Sequence, residues 1–481
     1  MAIHTTDTDV EVYILGDIPS YIIEVYVPGD QKYSLTEDRL STTAIRRQLD
    51  KEHGISKIAD VTMTLKNEDN QYSRLNPDSI FYGKQYIKDW VRITSGWGST
   101  WSNEPAVQFQ GRIKHLSDAS SWTANMIIYD ALQDMKDTAI TGNESLTIDN
   151  DVVDGMNPID ILEYLFDDYF QLTWFNMDTL EDTESLFDAT SKAAARAVTE
   201  GTIIGDTTWP VGSKFLDMAT DLMKQIGGFL YSGKDGKVNV YVYAPSQERS
   251  SARGLYSFVG DVTVKEPEII LSSNGADLDA IVNNVSWKYG QSQVSHSSEQ
   301  DTASVNKHGR KTLELTTKWE IINTYDLDIV ASRLLGRFAE PISTYDAKIS
   351  WLRNGEGLAM DLGNIVDITD PALFATDEYV EVHRLQTNLD QQMTQAVLYD
   401  ASALQGKFWW FSSEIDEGDG LGITGGNFDV NWLERFLFFS NNDLDNKPQF
   451  DQEGNSNGVV ESTIAPIDDW GNGVESSFIF W

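Results

Sequence analysis

The sequence contains no cysteine. Disulfide frameworks, thiolate zinc sites, iron–sulfur clusters and cysteine nucleophiles are therefore excluded. Cations are scarce: 36 Lys and Arg stand against 75 Asp and Glu, a net charge of −39 over 481 residues. A protein that grips nucleic acid by neutralising phosphates needs clustered cations, and so does one that adheres to an anionic membrane surface. The charge argues against both. Long apolar runs are missing too. Residues 21–27 (YIIEVYV) are strand-length and broken by a charge, against the ~20 apolar residues a spanning helix needs, so no membrane-spanning segment is expected. The start, MAIHTTDTDVEV, has no basic n-region and no apolar h-region, which argues against a signal peptide and for synthesis in the cytoplasm. What is present is 41% hydrophobic residues, with 14 Trp, 19 Tyr and 20 Phe. That is enough for packed cores, at a length suggesting about three domains.

The first stretch, to about residue 140, reads as β. Residues 10–15 and 21–27 flank a turn at 17–20. Val61, Met63 and Leu65 alternate with Thr62, Thr64 and Lys66, which sends the first set to a core and the second outward. Residues 91–94 and 107–110 alternate likewise, and the block closes in 124–132 (ANMIIYDAL). From about 155 to 228 the period is helical. Asn157-Pro158-Ile159-Asp160 combines an N-cap residue, proline at the first helical position and an early acid; Leu162, Leu165, Phe166, Tyr169 and Phe170 follow on one face. Residues 191–198 and 211–226 are further helices, the latter stopped by Gly227-Gly228. A hairpin turning at Asp235-Gly236 follows, then a polar linker at 246–253. From 255 to 404 the chain is again mainly β. Residues 291–307 read as a long polar loop, and a helix is expected at 324–338, capped by Asn323.

The two β regions share a pattern. Val91-Arg92-Ile93-Thr94, an extended segment at 107–113 and Tyr129-Asp130-Ala131 follow in one; Val366-Asp367-Ile368-Thr369, 379–384 and Tyr399-Asp400-Ala401 follow in the other. Either the strings mark a duplication or they are short coincidences, since Tyr345-Asp346-Ala347 occurs out of place.

Motifs that would carry chemistry fail on context. Gly420-Leu421-Gly422-Ile423-Thr424-Gly425 matches G-x-G-x-x-G, but four acids in the six preceding positions would repel a pyrophosphate and no helix follows. The acidic run 149–155 misplaces the glycine and lacks the final glutamate of a calcium loop. The six histidines lie too far apart for a zincin motif, there is no G-x-S-x-G elbow, and 75 carboxylates make any single pair uninformative. No catalytic, cofactor or metal residue is assigned, and the chain is not expected to be an enzyme. The last 77 residues differ again. Across 401–481 there are fourteen acids against three bases, with aromatic clusters at Phe408, Trp409, Trp410 and Phe411 and at Phe436, Phe438 and Phe439. A free tail would not carry so many aromatics, so these seven are expected to form an interface.

The order of the blocks resembles the tail hub proteins of tailed bacteriophages, including baseplate hubs. The likeness is carried by residues 58–70 (IADVTMTLKNEDN), Phe109-Gln110-Gly111-Arg112-Ile113, Tyr129-Asp130-Ala131-Leu132, the helix and hairpin of 215–243, and His308-Gly309-Arg310 with 361–369 (DLGNIVDIT). It spans about residues 8–404. It implies a β-rich α+β chain: a first tube-like β-barrel domain at 1–145, an α/β insert at 146–250, a second tube-like barrel at 251–404 and an irregular aromatic, acidic extension at 405–481. It implies a homotrimer whose six barrels form a pseudo-sixfold ring at the tail tip or baseplate of the virion. That ring would join the hexameric tail tube, or a distal tail protein, to a tip, spike or fibre protein. DNA would pass through its channel without specific binding, and an acidic lumen would keep the genome from adhering. No cofactor is implied. Two other readings remain open: a receptor- or glycan-binding tip protein using the C-terminal aromatics, and a polysaccharide-degrading enzyme.

Overall fold

The computed structural model describes residues 19–27, 32–49, 54–73, 75–83, 89–97, 106–118, 122–242, 255–259, 269–277, 281–350, 360–370 and 375–400, with the short pairs 409–410, 437–438, 449–450 and 460–461. These fall into two compact units, one drawn from 1–242 with 251–399 and one from 243–250 with 400–481. The expected strand at 10–15, the linker at 246–253 and the glycine motif at 420–425 lie outside the described residues.

Chain order begins with β1 (Pro19–Tyr26), β2 (Lys32–Ser34), β3 (Arg39–Thr42), β4 (Ile45–Gln48), β5 (Gly54–Ile55), β6 (Asp60–Lys66), β7 (Trp90–Trp97), β8 (Ala106–Asp118) and β9 (Thr123–Tyr129). Seven of these form one sheet in the order β2-β1-β7-β8-β9-β6-β3. The period-two pattern works as expected: Val61, Met63 and Leu65 are buried with Ile23, Val25, Val91, Ile93, Phe109, Met126 and Ile128 in one cluster. Strand pairing among the described residues does not close this sheet. The segment linking β2 to β3 crosses the gap instead. The Leu35 amide donates to the Ile23 carbonyl at 2.8 Å, and the Lys66 amide to the Asp38 carbonyl at 2.5 Å. The Arg39 guanidinium lies over the Tyr21 ring at 4.5 Å and donates to its hydroxyl.

Next come α1 (Ala131–Asp137), β10 (Leu146–Ile148), α2 (Pro158–Glu163), β11 (Thr173–Asn176), β12 (Glu181–Ser185), α3 (Ala189–Val198), β13 (Ile204–Gly205), β14 (Thr207–Trp209), α4 (Phe215–Ile226), β15 (Gly228–Ser232) and β16 (Val238–Val242). The caps follow residue chemistry. The Asn157 side chain accepts from the Ile159 amide ahead of Pro158, Asp188 caps α3, and Gly227 ends α4 at φ 66°. A Cβ at Gly227 would also meet Val330 at 2.9 Å. A wider turn over Tyr164–Tyr169 extends α2 and buries Leu165 and Phe166 in the core of this region.

The remaining elements are β17 (Leu255–Val259), β18 (Ile269–Asp277), β19 (Asn284–Tyr289), β20 (Val294–Gln300), α5 (Thr302–His308), β21 (Thr312–Thr316), β22 (Glu320–Ile321), α6 (Tyr325–Phe338), β23 (Ile342–Ser350), β24 (Ile365–Asp370), β25 (Ala375–Asn388) and β26 (Met393–Asp400). The polar stretch read as a loop is in fact β20 and α5. β20 pairs with β19 at the edge of a three-stranded sheet, where its side chains need no apolar alternation; α5 is nucleated by Asp301, whose carboxylate accepts from the Ser304 amide at 2.8 Å. α6 carries Leu327, Val330, Ala331, Leu334, Leu335 and Phe338 inward as its spacing predicts, but its N-cap is Thr324 rather than Asn323.

The second large sheet runs β17-β24-β25-β26-β23-β18, with β4 also on β25. Set beside β1-β7-β8-β9-β6-β3, each strand of one order matches the strand of the same rank in the other. β17 corresponds to β1, β18 to β3, β23 to β6, and β24–β26 to β7–β9. One pairing differs: β1 is antiparallel to β7 and β17 parallel to β24.

In the second unit, β27 (Trp409–Trp410) pairs with β28 (Leu437–Phe438) and β29 (Gln449–Phe450) with β30 (Val460–Glu461), both antiparallel.

Candidate functional site

The motif strings that carry the sequence resemblance occupy structural turning points. Gly111, at the centre of Phe109-Gln110-Gly111-Arg112-Ile113, sits where a Cβ would lie 2.2 Å from the Tyr129 carbonyl oxygen and 2.8 Å from the Phe109 ring. Only glycine lets that ring fold over the strand. Arg112 lies over the Trp90 ring at 4.2 Å and meets Asp134 at 2.9 Å. Asp130 of the Tyr-Asp-Ala string caps α1 through the Leu132 amide at 3.1 Å and accepts from the Ala59 amide at 2.7 Å. Full burial raises this carboxyl to about 7, against the pull of those two amides and of Arg47.

The segment between β3 and β6 leaves its own sheet and joins three layers. β4 pairs with β25 from Arg384 to Thr387, and β5 pairs in parallel with β15. Arg47 of β4 is buried. Its guanidinium donates to Asp361 at 2.5 Å and to the Ser232 carbonyl at 3.3 Å. The other Asp361 oxygen accepts from the Lys234 amide at 3.1 Å, and the Lys234 ammonium reaches Gln108 of β8 at 3.2 Å. The tip of the β15–β16 hairpin is thus wedged between the first sheet and the loop before β24. Burial, with Arg47 beside it, lowers Lys234 to about 7, and Asp361 opposes the shift. Burial likewise raises Asp235, the next residue of the tip.

A second buried ion cluster ties α6 to β25. Arg337 donates to Glu381 at 2.8 Å and lies 3.1 Å from His383 Nε2. That nitrogen is 3.2 Å from the other Glu381 oxygen, and the His383 ring stacks on Tyr399 at 3.9 Å. At the turn after β25, Leu389 is 2% exposed within the first sheet's apolar cluster, and the Asp390 carboxylate pairs with Arg39. Together these contacts make the two repeats one packed body. The chemistry available is that of a rigid joint, because each charge is turned toward a protein partner.

Of the seven aromatics expected at an interface, Trp409 and Trp410 stand opposite Phe438 and Leu437 in the short ladder, so the two clusters share one backbone pairing. Phe408, Phe411, Phe436 and Phe439 lie outside the described residues. Sequence reasoning passed over β4, Leu389 and Arg47; their only signal is an apolar or basic residue in a short polar stretch. Among the described residues no group of three or more His, Asp or Glu side chains is placed to hold a metal ion, and no helix is long and apolar enough to cross a membrane.

No family model matches the chain, and no curated protein matches it. Solved structures do. A tail protein from Neisseria meningitidis MC58 aligns at 12% identity and a TM-score of 0.48, covering 80% of this chain and 98% of that one. The 43 kDa tail protein of prophage MuSo2 from Shewanella oneidensis aligns at 12% identity and a TM-score of 0.46, covering 80% and 99%. A prophage tail protein from Listeria monocytogenes EGD-e aligns at 10% identity and a TM-score of 0.40, covering 79% and 94%.

Proposed function

We propose that this chain is a structural virion protein, the hub of a bacteriophage tail. Three copies, each with two related sheet domains, form a pseudo-sixfold ring at the tail tip or baseplate. The observation that supports this reading best is the common strand order of the two large sheets, which fits a duplicated, tube-like domain. A chain with two similar faces set in one rigid body adapts a six-fold partner to a three-fold one without a flexible joint. Closed symmetry of this kind buries sheet edges and does not propagate a fibre. The domains are then 1–145 and 251–404, with the α/β insert at 146–250 between them in sequence and the extension at 405–481 following.

On this reading the partners are the tail tube or a distal tail protein on one side and a tip, spike or fibre protein on the other, with the C-terminal aromatics seated on one of them. The ring encloses the DNA exit channel. A net charge of −39 gives the surface around that channel no affinity for the passing backbone. The protein acts by geometry and performs no catalysis. Electron microscopy of the purified chain, and of tails that contain it, tests the reading. A three-fold ring with six similar lobes at the tail tip is expected. A particle in which the chain sits elsewhere, or with another symmetry, would refute it.

A further inference from the structure

The two repeats carry different chemistry on the same face of their sheets. In the second repeat Ala347, Ile349, Leu385, Ala396 and Leu398 are buried, so alternation turns Asp346, Lys348, Arg384, Gln395 and Val397 to the other face. Lys348 stands opposite Gln395 on one side and Ile270 of β18 on the other, and Asp346 stands opposite Val397. Arg384 pairs with Gln48 of β4, and Gln386 with Arg46. Arg46, Arg384 and Lys348 are exposed, and Ile270 is 56% exposed. Arg384 has Asp346 at 3.9 Å; Arg46 and Lys348 make no ion pair among the described residues. These rows are a basic strip ending in an apolar side chain, on a chain of net charge −39.

The first repeat supplies the comparison. When Tyr129 is set on Tyr399, Thr64 and Asn125 take the places of Lys348 and Gln395, and Thr62 and Ile127 those of Asp346 and Val397. Ser41 of β3 stands opposite Thr64 where Ile270 stands opposite Lys348. The Thr64 hydroxyl meets Asn125 at 3.1 Å. The same places are therefore neutral in one repeat and charged in the other. Arg46 widens the difference, because β4 leaves the first repeat to lie on the second.

We infer that this face of the second repeat seats the ring's three-fold partner, a separate protein that meets it with an acidic surface. The inference rests on the ring reading and names the surface by which the ring tells its partners apart. A six-fold partner must meet both repeats alike, whereas a three-fold partner must take one and refuse the other. Such a choice is a difference of affinities, so it needs a face on which the repeats differ. Here they differ in charge, and the cations select an acidic partner. Ile270 selects protein over nucleic acid: an apolar side chain beside a cation suits the apolar centre and polar rim of a protein interface, and it has no role against a phosphate. Beyond a Debye length of about 8 Å the net charge of the chain repels acids, so the strip acts at contact and fixes register.

Lysine acetylation read by mass spectrometry, on the purified full-length chain and on tails that contain it, tests this. Lys348 should react at least about tenfold more slowly in tails, and equally slowly in tails emptied of DNA. A zero-length carbodiimide should join Lys348 to an Asp or Glu of a different tail protein. Tails built with the Arg46→Glu, Lys348→Glu double variant should keep the ring and carry at least about tenfold fewer tip proteins, with the circular dichroism of the free chain unchanged. A ring whose Lys348 reacts as fast as in the free chain overturns the inference and leaves the ring standing. So does protection that is lost with the DNA, a cross-link to a second copy of this chain, or a double variant with its full number of tips. Tails in which the chain forms no three-fold ring overturn both readings.

Discussion

Leu389→Ala probes whether the two repeats are one body. Leu389 belongs by sequence to a turn of the second repeat, yet it is 2% exposed among Ile23, Val25, Phe81 and Met126 of the first. Truncation removes about three methylene equivalents at roughly 0.8 kcal/mol each, so the transfer loss alone is about 2.4 kcal/mol. The site is framed by strands that cannot collapse freely, so a residual cavity brings the expected cost to about 3–4 kcal/mol. Leu75→Ala, at a side chain 88% exposed between β6 and β7, should cost within about 0.5 kcal/mol in the isolated chain. Urea titration followed by both fluorescence and far-UV circular dichroism measures the pair. The expected outcome is a lower midpoint for Leu389→Ala with an unchanged slope and coincident probes. Equal, near-zero effects for the two variants would show that the β25–β26 turn is not seated, and the joint between repeats would have to be withdrawn.

Four further predictions follow from buried groups. Lys234 is held near pH 7, below its ordinary value, so its contribution to stability is present at high pH and is lost as pH falls through about 7. Between pH 7 and 9 the native chain should therefore gain stability relative to Lys234→Met, by up to about 1.4 kcal/mol per pH unit in urea titrations; a difference that does not change with pH would refute the burial argument. Asp130 has the opposite sign. Raised to about 7, it favours the folded state at low pH and loses that contribution as pH rises through 7, which the slope of stability between pH 5 and 7 should report. Arg337→Met leaves the Glu381 carboxylate buried beside His383 and should cost about 3–5 kcal/mol, whereas the double variant Arg337→Met with Glu381→Leu should recover most of it by thermal melting; no recovery would mean the cluster is not a charge-paired unit. Gly111→Ala places a methyl 2.2 Å from a backbone carbonyl and should abolish soluble expression, a result that a well-folded variant would contradict.

Much of the secondary structure was legible because each piece rests on local chemistry. Val61-Thr62-Met63-Thr64-Leu65-Lys66 alternates and is a strand; Asn157-Pro158 starts a helix and Gly227 ends one. The polar run at β20 was not, because an edge strand draws its backbone hydrogen bonds from a neighbour and leaves no period in its side chains. The repeat was visible only as two short strings with a stray third copy. Strand order shows what separates them: Tyr129 ends β9 and Tyr399 is the last residue but one of its counterpart β26, whereas Tyr345 lies inside β23.

The sequence by itself determined what the protein has little of: no thiols, few cations, no long apolar run. It also determined where individual strands and helices lie, since period and capping are short-range properties. Only the tertiary structure decided how the pieces are joined. That a strand between β3 and β6 would leave its sheet for β25, that Leu389 would cross into the first repeat, and that Arg47 and Lys234 would share Asp361 are pairings between residues far apart in the chain. Such pairings depend on which edges and buried charges remain unsatisfied once the local elements have formed. No window of sequence contains both partners.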